Sequence, residues 1–279
     1  MGQHEPELIS ELKSHALETR KAVLKMTNAA GSGHPGGSLS ATDVITALFF
    51  HELRIDPSNP SWVGRDRFVL SKGHAAPALY ATMAQRGFFP MAELMTLRKL
   101  GSRLQGHVDA KTLPGIEAST GCLGQGLSMA VGMALDARLA KRDTRVYAMV
   151  GDGECQEGQT WEALMAGAHY KLDNLVAILD RNGIETDGPT EEIMALDPID
   201  EKMRAFGWHT IVINAHSFPE ILDAFEDAKK TKGHPTMIVA KSVKGKGVSF
   251  MEGKAAYHGK PPSDAELVTG LKDLEAGGK

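Results

Sequence analysis

Apolar positions along this chain of 279 residues follow two spacings. Stretches in which they return every three or four positions alternate with short, nearly unbroken apolar runs. The first stretch, 7–30, sets Leu8, Leu12, Leu17, Val23 and Leu24 near helical spacing and predicts a helix. The cluster Gly31-Ser32-Gly33-His34-Pro35-Gly36-Gly37 predicts its end, because gathered Gly and Pro cannot continue it. A second helix is expected over 41–52, then a strand over 67–70 and a helix over 75–86. Residues 101–121 read as an ordered loop, and its length favours a functional one. An Ala- and Met-rich helix is expected over 124–141, behind another Gly-rich turn. The run 146–150 is short, apolar and partly β-branched, as a buried parallel strand should be. A helix over 156–170, a strand over 175–179, a strand over 210–213, a helix over 218–230 and a strand over 236–240 follow, and 267–279 reads as a short helical tail.

This alternation predicts an α/β fold, a parallel sheet with helices on both faces. Gly and Pro are spread through loops rather than gathered into a linker, and no internal repeat is visible. A single domain over 1–279, with a C-terminal tail from about 242, is therefore expected. The net charge of −4 gives no electrostatic case for nucleic acid, and Lys229-Lys230 and Lys241-Ser242-Val243-Lys244-Gly245-Lys246 are too short to form a basic stripe. No apolar run approaches bilayer length, and the polar start with His4, Glu5 and Glu7 shows no secretory signal, so no membrane partner and a cytoplasmic location are expected. Cys122 and Cys155 read as free thiols rather than a disulfide or a zinc site, with Cys155 a bystander to the chemistry around it.

That chemistry gathers where strands end. Val150-Gly151-Asp152-Gly153-Glu154 leaves one expected strand, and Asn182 follows the next. Both then lie at carboxyl ends of neighbouring parallel strands, where open α/β sheets place their ligands. Gly151 and Gly153 let backbone amides approach a bulky anion, while Asp152 offers a hard oxygen ligand. Magnesium suits such a site, since it takes one or two protein oxygens and completes its shell with water and ligand phosphates. A Gly-Asp-Gly by itself is equally a turn, and the strand context with Asn182 favours the clamp. Neither a P-loop nor a Rossmann nicotinamide fingerprint is present. A metal-dependent phosphatase on a similar sheet would need further carboxylates at the strand ends, where Asp180 alone is added.

Four histidines, His34, His74, His107 and His258, stand beside glycine in expected loops. Imidazole can donate to a diphosphate oxygen or a sugar hydroxyl and exchange a proton near neutrality. His234, between Gly233 and Pro235, reads as a turn; His15, His51, His169, His209 and His216 lack the glycine and read as surface or helix-end residues.

The ordered set of motifs is specific: Ala30-Gly31-Ser32-Gly33-His34-Pro35-Gly36, Phe68-Val69-Leu70-Ser71-Lys72-Gly73-His74-Ala75, Gly106-His107, Thr120-Gly121-Cys122-Leu123-Gly124-Gln125-Gly126, Gly151-Asp152-Gly153-Glu154-Cys155-Gln156-Glu157-Gly158 and Tyr257-His258-Gly259. Over nearly its whole length the chain resembles the N-terminal, cofactor-diphosphate-binding part of transketolases. Deoxyxylulose-phosphate synthases share the metal motif but not a Ser-Lys-Gly-His loop of this form, and they stand as an alternative.

The resemblance implies thiamine diphosphate with Mg2+ or Ca2+. By matching positions, Asp152, Asn182 and the backbone carbonyl of Ile184 would hold the metal, with Gly153, His74 and His258 on the diphosphate and Glu154 and Asn182 also among the cofactor contacts. Gly121, Cys122 and Leu123 would face the aminopyrimidine. His34 and His107 would meet the substrate near its reacting carbonyl and first hydroxyl, completing an implied catalytic set of His34, His74, His107 and His258. Glu157 and Glu162 would link paired sites by facing a neighbouring subunit, while Thr186 replaces a larger apolar residue that can help pack the cofactor. The implied reaction passes a two-carbon ketol unit from a ketose to an aldose in carbohydrate metabolism of the pentose phosphate kind, with the cofactor as nucleophile and electron sink. Transketolases take a glutamate from a separate pyrimidine-binding domain, and this sequence ends before one. It is thus expected to be one subunit of a split transketolase, completed by a C-terminal subunit in a heterotetramer of two plus two. The other readings are a fragment of a longer enzyme and a non-catalytic thiamine diphosphate-binding regulatory subunit; the substrate-side pair His34 and His107 argues against the latter.

Overall fold

The structure, a computed structural model, describes residues 4–277. Strands β1 (Arg67–Leu70), β2 (Val146–Gly151), β3 (Leu175–Arg181), β4 (His209–Asn214) and β5 (Thr236–Lys241) form one parallel sheet in the order β1-β2-β3-β5-β4. Around it run α1 (Pro6–Ala30), α2 (Pro35–Ala47), α3 (Ala76–Gln85), α4 (Gln125–Leu139), α5 (Gly158–His169), α6 (Thr190–Ile193), α7 (Ile199–Ala205), α8 (Phe218–Lys230) and α9 (Asp264–Gly277). Every expected strand forms, and the α/β class with both faces covered holds.

Alternation along the strands divides the interior, because successive side chains point to opposite faces of a sheet. Phe68, Leu70, Tyr147, Met149, Val176, Ile178 and Ile238 join one core with α1, α2, α3 and α8. Val69, Val146, Ala148, Leu175, Ala177, Leu179 and Val239 join the other with α4, α5 and α7. Near-continuous apolar strands follow from this double burial.

Four expectations shift. Helix α2 opens at Pro35 rather than 41, with Pro at its first position, where the missing N–H costs nothing and the fixed φ suits the helix. All thirteen of its residues are buried, and Gly36 and Gly37 are tolerated inside it because neighbours leave no room for a side chain. A Cβ on Gly36 would lie 2.7 Å from the Tyr257 carbonyl, and one on Gly37 3.3 Å from the His74 ring. Helix α5 begins at Gly158, after a 3-10 turn over Gly153–Gln156. The short helices α6 and α7 fill a stretch for which no element was expected. The segment from 242, expected as a tail, instead folds back over the sheet edge, and α9 starts at Asp264 and packs on α1; residues 278–279 of that expected tail lie outside the described ones. Among the described residues no helix is long and apolar enough to cross a membrane.

Strand register fixes where the site can form. Gly151 lies level with Asp180, and Arg181 with Lys241. The residues that follow β1, β2, β3 and β5 therefore leave one edge of the sheet side by side.

Candidate active site

That edge gathers the four glycine-flanked histidines. His34, the residue before α2, has its ring centroid 5.4 Å from that of His74, 5.6 Å from His107 and 5.6 Å from His258. His74 and His258 are 4.9 Å apart. Four segments distant in sequence thus deliver imidazoles to one place: the start of α2, the turn after β1, the 101–121 loop and the segment after β5. Close packing needs the glycines. A Cβ on Gly121, whose φ is +131°, would lie 2.7 Å from the His107 ring.

All four rings are held on the neutral side of their ordinary pKa. Burial is the largest cause for each. For His34, lowered to about 4, Arg98 adds to burial; for His258, lowered to about 3, Lys244 does. Arg98 Nη2 stands 3.3 Å from His34 Nδ1, and Lys244 Nζ 2.7 Å from His258 Nδ1. Cations that donate to Nδ1 leave the ring proton on Nε2, so both imidazoles are neutral Nε2–H donors. His258 Nε2 lies 3.4 Å from the exposed Thr186 hydroxyl.

The expected metal ligands lie beside this cluster. Asp152 is buried, with one carboxylate oxygen accepting from Gly153 N at 2.9 Å and the other from Gly183 N at 2.5 Å. Arg181 stands 3.4 Å from the second oxygen. Burial, then Asp180, raises the Asp152 pKa. Asn182 donates from Nδ2 to Asp180 at 3.1 Å, and its Oδ1 accepts from Ile184 N at 3.1 Å. Asp180 therefore decides which end of the carboxamide faces outward. The Ile184 carbonyl accepts from Lys244 Nζ at 2.8 Å and keeps a second lone pair. One carboxylate, one amide oxygen and one carbonyl form a hard donor set of the kind Mg2+ or Ca2+ takes. The Lys244 ammonium, with burial first and Lys72 second lowering its pKa to about 8, and the His74 and His258 rings supply donors for a polyanion next to it.

Glu154 has a different task from the one expected. Its buried carboxylate accepts from Gly124 N and Gly151 N, each at 2.9 Å, and from the Ser71 hydroxyl. It braces three loops against each other instead of offering free lone pairs to a ligand. Gly153 turns its N–H onto Asp152. Cys122 is exposed and Leu123 half-buried beside Gly121, whereas Cys155 is buried, its thiol pushed well up by burial. Glu157 and Glu162 are both exposed at the start of α5.

Sequence reasoning missed several residues here. Lys244 was seen only as part of a lysine-rich stretch, although its place just after a strand at the ligand-binding edge is a usable signal. Asp180 is a hub: it takes hydrogen bonds from the buried Lys72 ammonium, from Ser40 Oγ at 2.7 Å, from Ser242 and from Asn182. Burial works to raise its pKa, but Lys72 outweighs this and holds the carboxyl low. Arg98 has a φ of +58° and binds Ser32 Oγ at 2.8 Å. Nothing in its sequence neighbourhood signals that backbone. His216, expected as a surface or helix-end residue, lies just before α8 and hydrogen-bonds with the Asp43 carboxylate on α2, a partner that the sequence does not signal.

Known proteins resemble this chain in sequence and fold. The family described as transketolase, thiamine diphosphate binding domain, matches residues 13–274. A 6-deoxy-6-sulfo-D-fructose transketolase subunit of a Clostridium species is 45% identical over 268 residues, covering 96% of this chain and 98% of that protein. An apulose-4-phosphate transketolase subunit of Phocaeicola vulgatus is 41% identical, covering 95% and 94%. Mouse transketolase is 46% identical over 93% of this chain but 42% of its own length. Among solved structures, transketolase from Leishmania mexicana superposes with a TM-score of 0.90 at 32% identity, covering 95% of this chain and 41% of that one. The chain thus spans about two fifths of that solved transketolase, and nearly the full length of the two subunits. It belongs to the transketolase family, as a form of that family's thiamine diphosphate-binding domain.

Proposed function

We propose that this chain is the diphosphate-holding subunit of a two-chain transketolase, which moves a two-carbon ketol unit from a ketose to an aldose. The observation that carries the reading is the convergence of four neutral histidines beside a hard-oxygen donor set. That two relatives of matching length are named as transketolase subunits supports the two-chain form. The partner is a C-terminal subunit carrying the pyrimidine-binding domain, and the assembly is two plus two, with Glu157 and Glu162 at the contact.

Asp152, Asn182 and the Ile184 carbonyl would hold Mg2+ or Ca2+. His74, His258 and Lys244 would hold the diphosphate, and Gly121 to Leu123 would meet the aminopyrimidine; the Gly153 N–H is already given to Asp152. When bound, thiamine diphosphate supplies a nucleophilic carbon and an electron sink for cleavage beside a ketose carbonyl. The protein's residues do the rest. His34 and His107 would orient the sugar carbonyl and first hydroxyl, and a neutral Nε2–H donor beside them can hydrogen-bond a developing oxyanion without carrying a resting charge. A metal held by these residues would anchor the cofactor rather than polarise the sugar.

Ketol transfer measured with and without a co-expressed C-terminal subunit tests this. Activity with both chains, and none with either alone, is expected. Full transfer by this chain alone would refute the split form, and no transfer from any sugar ketose, phosphorylated or sulfonated, with both chains present would refute the activity.

A further inference from the structure

Residues 242–245 form a strap across the end of β5, and each is tied to another element. Ser242 donates to Asp180, Lys244 Nζ reaches the Ile184 carbonyl and His258, and Gly245 N donates to the Gly36 carbonyl at 3.0 Å. The fourth tie, at Val243, belongs to a side-chain relay outside the four-histidine cluster. Arg20 on α1 makes a two-pronged contact with Asp43 on α2, Nη1 to Oδ1 at 2.8 Å and Nη2 to Oδ2 at 2.6 Å. The same Oδ2 lies 2.7 Å from His216 Nδ1. His216 Nε2 in turn accepts from Val243 N at 3.0 Å. Lys244, the next residue, carries the ammonium that touches His258 Nδ1.

We infer that His216 is a positioning residue of the diphosphate site: held by Arg20 and Asp43, it fixes the strap and thereby aims Lys244 at His258 and the ligand. The geometry allows one assignment of protons. A backbone N–H donates to Nε2, so that nitrogen keeps its lone pair, and the ring proton sits on Nδ1 and is donated to Asp43. The relay therefore needs a ring with an acceptor at one end and a donor at the other. Arg20 and Asp43 are both buried, so the pair is fixed by packing rather than by a mobile surface contact. Burial opposes charge on Asp43, yet Arg20 and then His216 hold its carboxyl below the ordinary range. The role parallels outer partners of metal ligands, whose loss weakens binding about ten-fold or more although they touch no ligand.

The inference rests on the diphosphate reading, so its test separates the two. Magnesium pyrophosphate is titrated calorimetrically into the full-length chain, because it engages only the end of the cofactor that Lys244 and His258 face. His216→Ala is expected to weaken binding about ten-fold. His216→Gln, which can still accept from Val243 and donate to Asp43, should recover part of that loss. Lys244→Met should weaken binding too, and adding His216→Ala to it should cost nothing further, since the histidine acts through the lysine. Wild-type affinity in His216→Ala, or losses that simply multiply in the double variant, would overturn the positioning role while leaving the diphosphate site intact. A wild-type chain that binds no pyrophosphate would remove the function reading and this one with it. Ring 15N shifts of wild-type His216 give a check that needs no variant to fold: the Nδ1–H tautomer is expected, and the Nε2–H tautomer would refute the relay.

Discussion

His34 and His258 stay neutral because burial, and then the cations beside them, penalise protonation. This has a consequence for stability. An unfolded histidine titrates near 6.5, whereas folded His34 does so at about 4, so between those values the unfolded chain binds the extra proton. Stability from this group is present above pH 6.5 and is lost as the pH falls toward 4. Glu117, whose carboxyl burial pushes up to about 7, works in the opposite sense over part of the same window. The informative quantity is thus the difference between chains: wild type should lose more unfolding free energy between pH 7 and pH 5 than His34→Gln, read from urea transitions. Equal losses would mean that His34 is not held neutral. Asp180 offers a sharper case. It and Lys72 are 2% and 1% exposed, so Asp180→Asn leaves a buried ammonium without its counter-charge. A loss of about 3–5 kcal/mol in the same urea assay is expected for breaking such a pair. A loss below about 1 kcal/mol would show that the remaining bond from Lys72 to the Gly37 carbonyl suffices.

At the scale of elements, α2 connects helix packing to chemistry. Its start delivers His34, its Gly36 carbonyl receives the strap, its Ser40 reaches Asp180 and its Asp43 receives Arg20 and His216. Gly36→Ala tests how tightly it is seated. Ala would favour the helix by about 1 kcal/mol, but its Cβ would meet a backbone carbonyl at 2.7 Å, which cannot swing aside as a side-chain tip can. Net destabilisation of about 1–3 kcal/mol is expected, together with a weaker response to Mg2+ and thiamine diphosphate. A more stable variant would mean that the backbone at Tyr257 yields freely.

This helix also marks where sequence reading stops. The inner strands β2, β3 and β5 were legible because burial on both faces leaves unbroken apolar runs, and the four histidines because glycine stands beside each. The beginning of α2 was not, since Pro35-Gly36-Gly37 has the composition of a helix end and becomes a helix start only through contacts with Tyr257 and His74, far away in sequence. Asp152 and Asn182 could be read from strand ends. Lys72, Arg98, Asp180 and His216 act through partners that only the fold supplies.

For the whole molecule, the site ties together parts that the sheet edge alone joins loosely. Asp152 follows β2, Asn182 and Ile184 follow β3, Lys244 and His258 follow β5, and His34 leads into α2. A metal bound by the first three and a diphosphate bound by Lys244 and His258 should each raise affinity for the other, because the anion completes the metal shell and the cation neutralises the anion. Mg2+ without thiamine diphosphate, or thiamine diphosphate with chelator present, should leave the melting temperature nearly unchanged. Together, at about a hundred times the dissociation constant, they should add roughly 2.7 kcal/mol. For a chain of this size that corresponds to a rise of about 5 °C. Asp152→Asn should remove most of that rise and also lower the ligand-free melting temperature by a few degrees, since a carboxamide has only one oxygen to accept from Gly153 N and Gly183 N and leaves one buried donor unpaired, at a cost of about 1–3 kcal/mol. A full shift with chelator present would show that the diphosphate binds without a metal, and the Asp152, Asn182 and Ile184 donors would then need another purpose.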